Sequence, residues 1–113
     1  MKVDGILPIG SVVLLEGGKK RIMIIGYLGI KDEKANEFYE YTGCPYPEGL
    51  LDQNRIYAFN TENIKEIYYR GYSDKETRDF NKKMESFKSK YVVNGKLIKS
   101  VGKILEELSN KGR

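Results

Sequence analysis

The chain lacks the residues on which most catalytic and metal sites depend. It contains no histidine and a single cysteine, Cys44. The absence of histidine excludes histidine-based catalytic triads, histidine general bases and every metal site that uses a histidine ligand. One cysteine can form neither an internal disulfide nor a cysteine cluster. A lone thiol is typical of a reducing compartment, so we expect a cytoplasmic protein.

Long apolar runs are missing as well. No stretch approaches the roughly 18 uncharged apolar residues that a membrane-spanning helix needs. The start, MKVDGILPIGSVVLLEGG, has no basic run, and Asp4 and Glu16 flank its apolar part, which argues against a secretory signal. Apolar residues make up 40% of the 113 positions and charged residues 32%, which is typical of a folded, charge-rich domain. We expect a single domain, residues 1–113, without a membrane span.

Charge is distributed unevenly along the chain, whose net charge is +4. Residues 1–72 carry 9 lysine and arginine residues against 10 acidic ones, and residues 73–113 carry 11 against 6. Glycine and aromatic residues concentrate in the first part, and lysine dominates the second. We interpret them as a β-rich part, 1–72, and a helical, lysine-rich part, 73–113, of one domain.

Apolar and β-branched runs separated by turn residues predict five strands in the first part. The runs are Ser11–Leu15, Arg21–Leu28, Glu37–Thr42, Asn54–Asn60 and Ile64–Tyr72. Gly17 and Gly18 supply the positive φ that a tight hairpin between the first two runs needs. Gly26 interrupts the second run and indicates a bulge or a close backbone approach. Five short strands at this spacing predict a curled antiparallel sheet or a small barrel.

Two prolines shape the segment GCPYPEG, Gly43–Gly49. Proline has no N–H donor and a fixed φ, so this segment is predicted to be an ordered loop rather than a central strand. Cys44 lies within it, and the chain offers no imidazole to activate the thiol. We expect Cys44 to be a small buried apolar residue that anchors the loop.

The second part begins with a helix start signal. Ser73 and Glu76 have the spacing of a capping box, with the serine at the N-cap position. Apolar residues then recur at steps of four, three and four, which places them on one helical face that would pack on the sheet. These residues are Phe80, Met84, Phe87 and Tyr91.

The last residues combine a turn signal with a second helical pattern. Asn94-Gly95 fits either a hairpin turn or the left-handed end of a helix, and the flanking apolar residues favour the hairpin. Lys99–Leu108 has the apolar spacing of an amphipathic helix. The whole pattern predicts an α+β fold: a small curled antiparallel sheet or five-stranded barrel followed by C-terminal helices.

Tyrosine is unusually frequent, with nine residues. Strand tyrosines can stack nucleic-acid bases when cations share their face. They can equally pack on a half-exposed sheet or contact a protein partner. The tyrosine-rich part is slightly acidic and most of the lysines lie downstream, which argues against nucleic acid and favours packing or protein contact.

Seven lysines lie between residues 82 and 103, with Glu85 as the only acidic residue among them. Such a basic patch attracts an acidic protein surface, phosphates or anionic lipid, or it forms a solvated helix face. No carboxylate pair, phosphate-binding glycine loop or activated nucleophile accompanies it. We expect neither an enzyme activity nor a cofactor or metal.

Several motifs carry a family resemblance. LPIGSVVLL at Leu7–Leu15, GCPYPEG at Gly43–Gly49 and the later Phe59-Asn60 and Gly71-Tyr72 positions resemble the domain of unknown function 4176 family of Firmicutes. The resemblance covers roughly residues 6 to 90. It implies a setting beside LXG toxins in type VIIb secretion clusters. It further implies a small cytoplasmic chaperone or targeting factor for the toxin, and it carries over no catalytic residues.

The residues and the resemblance together predict a protein-binding adaptor for a secreted toxin or its export complex. Tyrosine brings contact area at low entropy cost, proline pre-organises a loop, and lysine speeds encounter with an acidic partner. An open edge strand can also add a strand from the client. The expected partner-binding residues are Tyr46, Pro47, Tyr57, Tyr69, Lys82 and Lys83. Two other functions stay open: an immunity protein that neutralises a toxin, and a small barrel that binds single-stranded nucleic acid.

Overall fold

The structure, a computed structural model, describes residues 5–29, 38–93 and 96–97, with the backbone alone for 28–29 and 96–97. It has an α+β fold of one five-stranded antiparallel sheet followed by a helix and a short hairpin. The predicted second helix, Lys99–Leu108, and the Asn94-Gly95 turn lie outside the described residues.

The elements follow the predicted order. The strands are β1 (Val12–Leu15), β2 (Ile22–Gly29), β3 (Tyr39–Pro45), β4 (Tyr57–Phe59) and β5 (Ile64–Tyr69), then helix α1 (Lys75–Tyr91), β6 (Val92–Val93) and β7 (Lys96–Leu97). Two 3-10 turns, Gln53–Arg55 and Thr61–Asn63, flank β4. The antiparallel pairing of β6 with β7 confirms the predicted hairpin.

The sheet is open. Its strand order is β4-β3-β2-β1-β5, so β4 and β5 lie at opposite edges and do not pair with each other. The barrel alternative is therefore wrong, and the curled antiparallel sheet is confirmed. The Gly17-Gly18 turn joins β1 to β2 as predicted, with Gly17 at φ +77°. The β2–β3 register shifts between Ile24 and Gly26, as expected of a bulge.

Three local boundaries differ from the prediction. Strand β3 continues through Gly43 and Cys44 to Pro45, which pairs with Ile22. Tyr46 N–H donates to the carbonyl of Arg21, the residue before β2. By strand alternation the Pro45 nitrogen therefore faces the β4 side, where pairing has already ended at Gly43 and no donor is needed. Strand β4 starts only at Tyr57 because a 3-10 turn precedes it, and β5 ends at Tyr69 instead of Tyr72.

The helix cap also differs. The N-cap residue of α1 is Asp74 and not Ser73, because the Asp74 carboxylate accepts bonds from the N–H and the hydroxyl of Thr77 at 2.9 and 3.0 Å. These bonds lower the pKa of Asp74. A carboxylate at this position also interacts favourably with the helix dipole, which a serine cannot do.

The N-terminal segment Ile6–Ser11 is tied to both the sheet and the helix. Leu7 N–H donates to the hydroxyl of Tyr41 at 3.0 Å, and the hydroxyl of Tyr27 donates to the Leu7 carbonyl at 2.8 Å. From α1, Asn81 Nδ2 donates to the Ile6 carbonyl at 3.1 Å. Ile6 and Leu7 are buried in one cluster with strand residues and Met84 of the helix. The core therefore has three components: sheet, segment and helix.

Ser11 and Gly71 close the other end of this segment. The fully buried Ser11 hydroxyl donates to the Pro8 carbonyl at 2.7 Å and accepts from Gly71 N–H at 2.9 Å. A Cβ at position 71 would lie 2.2 Å from the Ile9 carbonyl oxygen, so only glycine fits here. The chain after β5 is thereby fixed beside the N-terminal segment.

The predicted apolar face of α1 is confirmed in its C-terminal half. Met84 and Tyr91 are buried, and the Phe87 ring packs against Phe38 and Tyr91 at centroid distances of 6.2 and 5.0 Å. Phe80, in the N-terminal half, is 46% exposed although its ring contacts Tyr27. The C-terminal half of α1 thus packs on the hydrophobic core, and its N-terminal half extends beyond that core.

An ion pair ties α1 to the sheet. Lys88 Nζ donates to Glu40 of β3 at 2.8 Å, and the same carboxylate accepts Thr61 N–H at 2.8 Å. Burial alone would lower the pKa of Lys88, but its hydrogen bond to Glu40 and the charges of Glu40 and Glu85 raise the pKa above its ordinary value.

Candidate protein-binding surface

Residues 46–57 form the longest exposed apolar segment among the described residues. Every position except Gly49 is exposed to solvent. Six of them are apolar or aromatic, and we call these six the β3–β4 surface: Tyr46, Pro47, Leu50, Leu51, Ile56 and Tyr57. Leu50 and Leu51 are 54% and 65% exposed. Exposed apolar residues gathered in this way are typical of interaction sites, whereas single ones are ordinary.

The first half of this segment is held against the β1–β2 hairpin. Tyr46 N–H donates to the Arg21 carbonyl at 2.9 Å, and the Arg21 guanidinium lies over the Tyr46 ring at 5.0 Å. Lys20 forms an ion pair with Glu48 and thereby lowers the pKa of that carboxyl. The Tyr46–Pro47 peptide bond is cis. The hydrogen bond to Arg21 and the ion pair to Lys20 hold this half of the segment in place.

The second half is held by turns. Gly49 N–H donates to the Pro45 carbonyl at 2.7 Å, and Leu51 N–H donates to the Gly49 carbonyl at 3.1 Å. The Asp52 carboxylate then accepts Asn54 N–H at 2.8 Å and begins the 3-10 turn that leads into β4. Because the backbone is already bonded, a partner would meet these side chains without ordering a loose loop.

The two edges of the sheet differ in their capacity to accept another strand. Strand β4 pairs regularly with β3, from Tyr41↔Phe59 to Gly43↔Tyr57, and no described strand covers its outer edge. The longer edge strand, β5, shifts register against β1 twice. It also presents Lys65 and Glu66 to solvent. Irregular, charged edges resist strand addition, so β4 is the edge better suited to it.

The predicted partner-binding residues fall into three places. Tyr46, Pro47 and Tyr57 belong to the exposed segment 46–57 that joins β3 to β4. Tyr69 lies on β5, four strand spacings from β4, or about 19 Å at roughly 4.8 Å per spacing. Lys82 and Lys83 lie on α1, and both are exposed.

The described part of the basic patch is only partly available to a partner. Lys88 is bound to Glu40, and Lys90 lies over the Tyr91 ring at 5.2 Å. Lys83 lines a groove beside the N-terminal half of α1. The side chains of Lys96, Lys99 and Lys103 lie outside the described residues. Of the described lysines of the patch, Lys82, Lys83 and Lys90 are exposed and have no ion-pair partner among the described residues, and Lys82 and Lys83 also lack a ring contact there.

Sequence reasoning missed two sets of exposed residues. Leu50, Leu51 and Ile56 complete the β3–β4 surface, and their only local signal is an apolar pair between Gly49 and the polar run Asp52–Arg55. Tyr72 and Phe80 line the groove beside α1. The helical spacing of Phe80 matched the core face, and spacing alone does not show where the covering core ends.

No catalytic group stands out among the described side chains. Cys44 is buried, and burial raises the pKa of its thiol, so the reactive thiolate is disfavoured. Within the same residues, no group of three or more Cys, Asp or Glu side chains could hold a metal ion. No helix of the described part has the length and apolarity that crossing a membrane requires.

Fold and surface define a small α+β protein that presents a rigidly held apolar surface at one end of an open sheet. The model of the family described as Domain of unknown function (DUF4176) matches residues 6–80, which include the whole five-stranded sheet and the start of α1. The chain belongs to this family. Comparison with curated proteins and with solved structures yields no match.

Proposed function

We propose that the protein is a cytoplasmic adaptor that binds an LXG-type toxin of the type VIIb secretion system before export. The toxin setting rests on the family resemblance described above. The observation that supports a binding role is the β3–β4 surface, where six apolar side chains are exposed on a backbone fixed by hydrogen bonds.

The energetic argument concerns preorganisation. An interface gains most from a few aromatic and aliphatic side chains that become fully buried, and it loses affinity when loops must be ordered. Tyr46 and Tyr57 are 36% and 41% exposed, so each keeps one side packed on the protein and offers the other. Leu50 and Leu51 add aliphatic area between them. This surface therefore binds a complementary apolar patch at low ordering cost.

The free edge of β4 adds a directional element. Three regularly paired residues, Tyr57–Phe59, leave backbone groups for a short extended segment of the client. Main-chain hydrogen bonds would set the orientation of that segment, and the exposed Tyr57 and Ile56 would contact its side chains. Tyr69, on the opposite edge, takes no part in such an interface.

Co-expression with the LXG protein encoded beside it tests the proposal. The wild-type chain should co-purify with that protein, and Leu51→Ser and Tyr57→Ser should each reduce recovery at least about tenfold, the effect expected of interface anchors. Tyr69→Ser is the matched control, since it removes an exposed tyrosine, 61% against 41% for Tyr57, from the other edge. Failure of the wild-type chain to bind any LXG protein of its locus contradicts the proposal.

An immunity protein would bind the same toxin at a different place. Separate expression of the toxin's export domain and its toxic domain distinguishes the two functions. Binding to the export domain supports the adaptor role. Binding confined to the toxic domain, together with loss of toxicity, contradicts that role and establishes immunity.

A further inference from the structure

A groove that includes no residue of the β3–β4 surface combines aromatic side chains with carboxylates. It lies between the N-terminal segment and the first turns of α1 and has a volume of about 790 Å³. Ile9, Tyr27, Tyr72 and Phe80 provide its apolar lining. Ile9 is 54% and Tyr72 79% exposed. We call it the α1 groove.

Two of its three aromatic side chains, Tyr72 and Phe80, are exposed. The Tyr27 ring is fixed, because its hydroxyl donates to the Leu7 carbonyl and its face contacts Phe80 at a centroid distance of 5.6 Å. Phe80 and Tyr72 then extend away from this support into solvent. A tyrosine that is 79% exposed contributes little to the core, so its ring face is free to contact a ligand.

The acidic side chains of the groove are not equally engaged. Asp74 caps the helix through Thr77, and Asp79 pairs with Lys75 at 2.9 Å. Glu76 has no ion pair or side-chain hydrogen bond with the described residues. Glu76 and Tyr72 both line the groove and are four positions apart in the sequence. Lys83, the one basic residue lining the groove, is seven positions further along the helix, or about 10 Å at 1.5 Å per residue.

An unpaired carboxylate beside an exposed aromatic ring is the arrangement that binds a guanidinium. The planar cation stacks on the ring and donates hydrogen bonds to the carboxylate, and arginine does both better than lysine. The neighbouring Phe80 and Ile9 suit an apolar side chain. The groove lining, with three carboxylates against one lysine and with apolar side chains beside them, therefore complements a cation next to an apolar group, on a protein whose overall charge is +4.

We propose that the α1 groove binds a short segment of a partner protein in which an arginine lies next to a large apolar residue. The arginine stacks on Tyr72 and pairs with Glu76, and the apolar side chain packs on Phe80 and Ile9. This second site is separate from the β3–β4 surface and does not depend on which partner that surface binds.

Peptide binding to the full-length protein tests this site. The probe is a labelled synthetic peptide of sequence Gly-Ser-Leu-Arg-Phe-Arg-Ser-Gly, and its matched control replaces each arginine by citrulline, which has the same shape without the charge. The arginine peptide should bind at least about tenfold more tightly, with an affinity that falls as salt rises. Amide NMR shifts should localise to Ile9, Tyr27 and Phe80.

Variants separate the groove from the rest of the surface. Tyr72→Ser and Glu76→Gln should each weaken binding about tenfold. Tyr72→Ser should leave the temperature of thermal unfolding unchanged because its side chain is exposed, and Glu76→Gln should lower it only slightly, since the carboxylate lies in the first turn of α1. Leu51→Ser on the β3–β4 surface should leave peptide binding unchanged. The proposal is overturned by absence of peptide binding, by equal binding of the citrulline peptide, or by insensitivity to Tyr72→Ser. A concentration-dependent dimer that Phe80→Ala abolishes also overturns it, since a second copy then occupies the groove.

Discussion

Residues 6–11 and residues 46–51 are two short irregular segments of similar composition, each with a proline, a glycine and large apolar side chains. In the first, Ile6 and Leu7 are buried and the backbone is bonded to the side chains of Tyr41, Tyr27 and Asn81. In the second, the backbone is also hydrogen-bonded, through Tyr46, Gly49 and Leu51, but the side chains lie in solvent. The first segment thus packs its Ile6 and Leu7 side chains into the core, whereas the second is held on the surface with its side chains exposed.

The difference shows that the motifs LPIGS and GCPYPEG do not serve packing to the same extent. Packing requires the LPIGS motif, because the Ser11 hydroxyl bonds to both Pro8 and Gly71 and the Gly71 backbone lies close to Ile9. These contacts join the N-terminal segment to the chain that follows β5. Packing requires the first three residues of GCPYPEG, where Cys44 is 1% exposed, but not the exposed residues after them. Apolar side chains that contribute nothing to the core are available for a partner. The variants described next test this difference between buried and exposed residues.

The largest expected difference is between two leucines. Leu7 is 1% and Leu51 65% exposed. Leu7→Ala should lower the free energy of unfolding by about 2–5 kcal/mol, because it leaves a cavity between sheet and helix. Leu51→Ala should change it by less than about 0.5 kcal/mol. Urea unfolding of both variants measures the contrast, and a Leu51 effect as large as that of Leu7 would show that the β3–β4 surface is part of the core.

Two glycines give the next contrast. Gly71→Ala places a Cβ 2.2 Å from the Ile9 carbonyl oxygen, so backbone must move and we expect a loss of about 3 kcal/mol. Gly49→Ala meets open space, and its cost of about 1–2 kcal/mol comes only from the positive φ of +82°. Thermal unfolding compares the two. Equal losses would mean that the Ile9–Gly71 approach relaxes without cost.

Local sequence patterns predicted most of the sheet and the covered part of the helix. The hairpin glycines, the alternation of the strands and the steps between Met84, Phe87 and Tyr91 depend on neighbours within one element. The end of β3 could not be found this way. Whether Pro45 can extend the strand depends on where β4 stops pairing, which is a property of another element.

For the binding surface, sequence reasoning grouped correctly only those residues that are close together in the sequence. Tyr46, Pro47 and Tyr57 lie in the same exposed segment because that segment directly joins the paired strands β3 and β4. Tyr69 separates from them because β5 crosses to the far edge and pairs with β1, which no local pattern specifies. Leu50 and Leu51 were missed because an exposed leucine and a buried one look alike until the core is known.

Tyr41, whose hydroxyl holds the buried N-terminal segment, should make the free energy of unfolding depend on pH in alkaline solution. Tyr41→Phe removes the acceptor of Leu7 N–H and the bond to Thr61, and should cost about 1–3 kcal/mol at neutral pH. Burial, the largest cause, raises the pKa of Tyr41 above 10.0. The unfolded chain therefore loses this proton first, and stability falls as pH rises above about 10.

The variant should consequently be less stable at neutral pH but have a shallower alkaline decline. Tyr27 and Lys88, whose pKa values are also raised, preserve part of the slope. Chemical unfolding at a series of pH values between 7 and 11 measures both effects. An unchanged alkaline slope in Tyr41→Phe would show that this hydroxyl is not protected by the fold.

The smallest expected effect lies in the exposed segment. The hydrogen bond from Lys20, the largest cause, lowers the pKa of Glu48 below 4.5. A lowered pKa contributes stability above the unfolded value, which is lost as pH falls through the folded one. Because the pair is on the surface, Lys20→Met should leave thermal unfolding at neutral pH nearly unchanged.

The change should instead appear in the titration of the Glu48 carboxyl followed by NMR. Its midpoint should lie below 4.5 in the wild type and return toward that value in Lys20→Met. Tyr46 stays bonded to the Arg21 carbonyl in this variant, so the binding surface should keep its shape and its partner. If the variant instead lost binding while remaining folded, the ion pair would be needed to hold residues 46–51, and the segment would be less well fixed by its backbone than its hydrogen bonds indicate.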